Sequence, residues 1–300
     1  MKNEPLYFSK LTNIAIVATF FALWIAIYFS NQVENTLAYV LILTFGMLHG
    51  ANDLKLIQKS TKEATGGTSF AVALSLYVLV VLLGFGLFYW FPSFAFVLFI
   101  VVSGYHFGEQ HWVSKIDSTS FSVRVFYLSY GLLVLGMLFD VHQDAVTEVI
   151  DKITGHQIPA DVYQWLLWIS AAVFALLYLF LYTRKSIHAN LIKQLFFLLV
   201  FFVVFNTASL LWSFAIYFIL WHSLPSIADQ IIFLYGNLSS DSFLGYVKSS
   251  FIYWLVAAVG AGFLLFFLKD DMETSLSFFL AFLAAITFPH VLVIGRLNHH

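Results

Sequence analysis

Apolar residues recur along this chain in runs of about twenty, separated by short polar stretches from one end to the other. Runs of that length are what an α-helix needs to cross the hydrocarbon of a bilayer. Ten spans can be drawn, at 11–30, 36–57, 69–90, 93–112, 121–140, 162–182, 191–207, 209–235, 246–268 and 275–297. The seventh and eighth nearly touch, at Asn206–Thr207–Ala208–Ser209. The polar stretches near 58–68, 113–120, 140–161 and 236–245 read as loops. The pattern predicts an all-α polytopic transmembrane helical bundle, organised as a single domain over residues 1–300. The first apolar stretch lacks a small-residue cleavage site and reads as an anchor, not a removed signal peptide.

Composition agrees with the pattern. The chain is 61% hydrophobic and 10% charged, where a soluble domain carries roughly 25% charged residues. A very hydrophobic soluble protein is excluded because the helices keep no polar face to show to water. The charges also orient the spans. With both termini cytoplasmic, every lysine and arginine of the fourteen except Lys152 and Lys269 lies on the inner side. Asp140, Asp144, Glu148, Asp151 and Asp161 crowd one outer loop. The expectation is a multi-pass protein of the cell membrane that binds no nucleic acid, its basic fringe being the ordinary topology signal. No cysteine is present, so disulfides and thiolate sites are excluded.

Against this background four histidines stand out: His49, His106, His222 and His290. All lie deep in spans that run inward. The first three fall 13 residues after the start of their span and His290 falls 15 after, or about 20 Å from the outer face. An ionisable side chain at that depth is costly and faces the bundle interior or a cavity. Alone, each could bond a serine or a backbone carbonyl of a neighbouring helix; together, their shared depth points to one metal site. His142, His156 and His188 fall in loops, and His299 and His300 end the chain. His111 sits near the cytoplasmic end of its span, as an interfacial or outer-sphere group.

The neighbours of these histidines extend the reading. Gly46 and Gly50 flank His49, and Gly104 and Gly108 flank His106, at the spacing that lets helices approach closely or leaves room for a metal and a bulky substrate. Asp53, Glu109 and Asp229 follow on the same helices as His49, His106 and His222, on roughly the same faces. Asp53 and Glu109 could orient ligating imidazoles or pair with Lys55, Arg296 or interfacial water; Asp229 reads as an ordinary pairing. Pro225, one turn beyond His222, predicts a kink that frees the Trp221 carbonyl.

Four neutral imidazoles without thiolates suit Fe(II), Zn(II) or Cu, and ligand type alone does not choose among them. An apolar membrane cavity would admit a lipid-like substrate from the bilayer. The deep histidines are single, unlike the clustered boxes of membrane desaturases, and their matching depth favours one centre over two haems. No lysine sits deep in a late span, as a retinal-binding opsin would need. A proton-coupled transporter using histidines and carboxylates is the alternative outside enzymes.

At these residues the sequence resembles the Brp/Blh family of membrane β-carotene 15,15′-dioxygenases. The resembling stretches are Phe45–Asp53, Tyr105–Gln110, Trp221–Leu224 and Pro289–Val291. The resemblance implies cleavage of β-carotene at its central double bond by O2 into two molecules of retinal, with non-haem Fe(2+) held by histidines. It departs at Leu54 and Ser226, where the family pattern carries further histidines. On this reading His49, His106, His222 and His290 hold the metal, Asp53 and Glu109 stand behind them, and Tyr105 and Trp221 flank the polyene. The partners implied are β-carotene or a related polyene drawn from membrane lipid, O2, and an opsin that accepts the retinal.

Overall fold

The computed structural model describes residues 6–65, 67, 69–267 and 272–297. Lys2, Lys269, His299 and His300 therefore lie outside the described residues. The chain is helical throughout: α1 (Leu6–Tyr28), α2 (Asn31–Leu41), a π-helical segment (Ile42–Gly46), α3 (Asp53–Thr65), α4 (Phe70–Trp90), α5 (Pro92–Trp112), α6 (Phe121–Val141), α7 (Gln143–Thr154), α8 (Ala160–Thr183), α9 (Leu191–Thr207), α10 (Leu210–Ile216), a second π-helical segment (Tyr217–Ser223), α11 (Leu224–Tyr235), α12 (Ser240–Phe267) and α13 (Met272–Leu297). Among the described residues, β pairing is confined to one isolated antiparallel bridge, Ile116 to Ile187. This is an all-α polytopic bundle. Among the described residues, eight helices are long and apolar enough to cross a membrane, and Leu191–Thr207 is a shorter apolar one.

Several expected boundaries are reproduced with identifiable caps. The Ser69 hydroxyl accepts from the Val72 amide at 3.3 Å and opens α4, and Asn190 does the same for Lys193 at the start of α9. Gly236, in the left-handed region with φ 83°, closes α11. Three expectations change. The stretch 58–68, expected as a loop, is helical as far as Thr65, the end of α3. The run 36–57 is not one helix: α2 passes into the π segment, residues 49–52 form a turn, and α3 restarts at Asp53. The acidic stretch expected as a loop contains α7, which buries Val146, Val149 and Ile150.

The helices cluster into two compact units. The first comprises Met1–Val40, Ile100–Glu148 and Gln157–His222; the second comprises Leu41–Phe99, Val149–His156 and Ser223–His300. In the first unit α6 is the central helix, packed mainly on α8 and also on α9 and α10. Its contact with α5 is backbone to backbone. A Cβ added at Gly108 would lie 1.8 Å from the Tyr127 carbonyl oxygen, and one at Gly131 would lie 1.8 Å from that of Gly104. Only missing side chains permit so close a crossing. The break between α9 and α10 is held by a buried acid, Glu34, whose Oε2 accepts the Ser209 amide at 2.8 Å. A buried carboxylate on helix-terminal N–H groups satisfies donors that the helix itself leaves open.

In the second unit α4 packs on α13, and α3, α11 and α12 complete the contacts. Gly84 of α4 sits against Ala285 of α13, with 3.2 Å from an added Cβ to the Ala285 Cα. The remaining face of α4 is apolar and exposed, including Leu79, Leu82, Leu83 and Tyr89. Such a surface is stable against lipid, where apolar exposure carries no penalty.

Candidate functional site

All four deep histidines are buried, between 1% and 7% exposed. Each unit brings two of them ring to ring. In the first, His106 of α5 and His222 of the second π segment have ring centroids 4.8 Å apart at 79°. In the second, His49 and His290 of α13 are 4.5 Å apart at 85°.

His49 comes from the broken stretch between α2 and α3. Irregular backbone at membrane depth persists only where protein satisfies its polar groups, and here the partners are specific. Gln230 Nε2 donates to the His49 carbonyl at 2.8 Å. The Tyr246 hydroxyl donates to Gln230 Oε1 at 2.8 Å and lies 3.2 Å from the Leu48 carbonyl. Asn52 Nδ2 donates to the Tyr246 carbonyl at 3.0 Å, and the Ser249 hydroxyl donates to Asn52 Oδ1 at 2.7 Å. Losing one such buried bond costs about 1–3 kcal/mol. The ring itself donates from Nδ1 to the Gly46 carbonyl, with the Ser223 hydroxyl 3.5 Å away. A carbonyl can only accept, so the proton sits on Nδ1 and the lone pair on Nε2.

His290 is fixed through the same nitrogen. Its Nδ1 lies 2.9 and 3.1 Å from the two oxygens of Asp53, which is itself 1% exposed. The Tyr77 hydroxyl of α4 donates to Asp53 Oδ2 at 3.0 Å. Asp53 therefore serves the histidine of another helix as well as following His49 in sequence. Lys55, one of the partners considered for it, instead bonds the Tyr235 hydroxyl at 2.7 Å. Gly50 packs beside this pair at ordinary contact distance: a Cβ there would sit 3.7 Å from His290 Nδ1 and 3.9 Å from Asp53 Oδ2.

The first unit frames its pair with aromatic rings. Phe218 stacks on His222 at 5.6 Å and 18°, and Phe107 stands edge-on to it at 4.7 Å. Gln110 Nε2 donates to the His222 backbone carbonyl at 3.1 Å. That carbonyl lies in the π segment, where the widened turn leaves backbone groups to outside partners. The expected break near Pro225 takes this form: Pro225 stands in the first turn of α11, directly after the π segment. Glu109 is fully buried and accepts the Tyr105 hydroxyl at 2.9 Å.

Tyr105 is thus held on Glu109, with its ring 6.2 Å from that of Tyr127. Trp221 donates its indole N–H to Thr19 at 3.0 Å and packs against Phe197 and Phe201, each at 5.0 Å. His111 bonds Gln194 at 2.7 Å and stacks on Tyr130, and His188 pairs with Asp117 at 2.7 Å. Tyr77, Gln230, Asn52 and Tyr246 were not expected at the site. Their signal was available, since polar residues inside apolar spans are rare and seldom idle.

A family model described as beta-carotene 15,15′-dioxygenase matches residues 40–298. That range takes in all four histidines and both carboxylates. No curated protein and no solved structure matches the chain.

Proposed function

The chain belongs to the β-carotene 15,15′-dioxygenase family, and from that premise we propose that it cleaves β-carotene at its central double bond with O2. The family makes it a dioxygenase acting on a carotenoid. The finer reading is that each carbon of the severed bond takes one oxygen atom, giving two retinal molecules. Both atoms of O2 enter product, so no external reductant is required.

The observation that carries the reading is the pairing of the deep histidines, two in each unit. We assign His49, His106, His222 and His290 as the ligands of one Fe(2+). Each unit contributes two buried imidazoles to this proposed set, His106 and His222 from the first and His49 and His290 from the second. The donor set fits ferrous iron: neutral imidazoles, no thiolate, and a carboxylate placed behind one ligand and not in its stead. Bound ferrous iron supplies a site at which O2 is activated.

The residues of the chain do the rest. The Gly46 carbonyl and Asp53 hold the Nδ1 protons of His49 and His290, keeping both Nε2 atoms as lone-pair donors. Phe107 and Phe218, packed on the His222 ring, keep water from that imidazole. Tyr105 and Trp221 are assigned to flank the polyene, each oriented by one polar bond. The substrate enters from membrane lipid, in a multi-pass protein of the cell membrane, and the aldehyde passes to lipid or to an opsin.

Metal analysis of the detergent-purified protein, then anaerobic addition of β-carotene followed by O2, tests this. Near-stoichiometric iron and O2-dependent retinal are expected. Protein that stays inert after Fe(II) reconstitution would overturn the reading in favour of a proton-coupled transporter built on the histidines and carboxylates.

A further inference from the structure

We infer that Tyr77 is a positioning residue for His290, acting through Asp53, and that this chain makes Nε2 the ligating nitrogen of His290. The inference rests on the reading of His290 as a metal ligand given above.

The chain runs through three helices of one unit: Tyr77 on α4, Asp53 at the start of α3, and His290 within α13. Each link is of hydrogen-bond length, 3.0 Å from Tyr77 to Oδ2 and 2.9 Å from Nδ1 to Oδ1. An ionised carboxylate only accepts, so both neighbours must donate. His290 then carries its proton on Nδ1, and Nε2 holds the lone pair a metal needs. A carboxylate bound to a histidine still has freedom to rotate about its own bonds. The Tyr77 hydroxyl removes that freedom by fixing Oδ2, so the plane of the carboxylate, and with it the direction of the imidazole, is set from outside the pair.

The position of Tyr77 separates this role from packing. Its ring forms part of the wall of a cavity of about 270 Å³, with Leu76, Val80, Pro289, Leu292 and Arg296. Tyr77→Phe keeps that wall and removes the hydroxyl alone.

The test is Co(II) binding to detergent-purified wild type, Y77F, D53N, the Y77F/D53N double variant and H290A. Affinity and the visible absorption of bound Co(II) are read beside thermal unfolding. Y77F is expected to bind Co(II) about threefold to tenfold more weakly, with a shifted visible band. D53N should lose about tenfold to a hundredfold. The double variant should bind no more weakly than D53N, because Tyr77 acts through the carboxylate. A Y77F variant with the wild-type affinity and spectrum would overturn the inference, as would additive losses in the double variant. An H290A variant that binds Co(II) as the wild type does would instead remove His290 from the ligand set. Those two failures are distinct, because Y77F is judged only after H290A has lost the metal.

Discussion

In one unit His49 and His290 are held through ring nitrogens, by the Gly46 carbonyl and by Asp53. In the other, aromatic rings frame the pair, with Phe218 stacked on His222 and Phe107 set edge-on. The two devices constrain different things. A hydrogen bond to Nδ1 selects the tautomer, and so decides which nitrogen is offered to a metal. Ring packing selects the rotamer and excludes water but leaves the tautomer to other contacts. The pairs share one feature of backbone: each takes one histidine from beside or within a π-helical segment, at Ile42–Gly46 and Tyr217–Ser223, and one from an α-helix. Such segments recur at functional sites because the extra residue turns a side chain away from its helical register.

The comparison breaks first if the pairs are unequal in metal binding. His49→Ala and His222→Ala are each expected to abolish stoichiometric iron and retinal formation, measured by metal analysis and product detection. Loss in one unit with full metal retention in the other would confine the centre to a single pair. The next largest effect separates the two glycine motifs. Gly108→Ala would drive a Cβ to 1.8 Å from a carbonyl oxygen, which no side-chain movement relieves. It should cost several kcal/mol, on the order of the most disruptive core substitutions, and lower the yield of folded protein. Gly50→Ala makes only ordinary contacts, at 3.7 Å and beyond. It is expected to fold with the wild-type yield, both variants being compared by size-exclusion chromatography in detergent.

A smaller and more selective contrast lies in the frames themselves. Asp53→Asn should weaken iron binding by about tenfold to a hundredfold while leaving thermal unfolding nearly unchanged. Phe107→Leu should do the reverse, lowering stability by about 0.5–1.5 kcal/mol for the lost ring contacts with iron retained. Metal titration and thermal unfolding of both variants decide it. Equal metal loss in the two would show that ring packing also sets the ligand geometry.

Most of the architecture was legible in the sequence because apolar run length reports membrane helices directly. The break inside 36–57 was not, because hydropathy does not register a turn whose backbone groups are satisfied by Gln230 and Tyr246 from elsewhere in the fold. The helix α7 was missed for a related reason: its acidic face dominated the composition, although Val146, Val149 and Ile150 recur at helical spacing. At the site, depth identified the four histidines but not their pairing, since depth carries no information about helix rotation. Helical spacing placed Asp53 on the face of His49, on its own stretch of sequence, whereas its carboxylate bonds His290. The bond to His290, 237 positions away, is a tertiary fact. The glycines near His49 and His106 looked alike and differ in use: a side chain at Gly108 would block a helix crossing, whereas one at Gly50 would meet only ordinary contacts.

The smallest effect concerns His142, beyond the end of α6 and outside the spans, in the unit whose deep pair is framed by rings. Burial lowers its pKa, and this outweighs the opposing influence of a bond to the Phe205 carbonyl and of the nearby Glu34 carboxylate. The folded protein therefore holds His142 neutral where the unfolded chain, with an ordinary value near 6.5, begins to take up a proton. Its contribution to stability is complete above that value. It is lost as the pH falls through 6.5 toward the folded value, because only the unfolded state protonates readily in that window. His142→Gln removes the titration and keeps a side chain able to donate a hydrogen bond. In detergent, the midpoint of thermal unfolding should fall from pH 8 to pH 5 in the wild type by more than in the variant. If the two fall in parallel, His142 does not set the acid sensitivity of this unit.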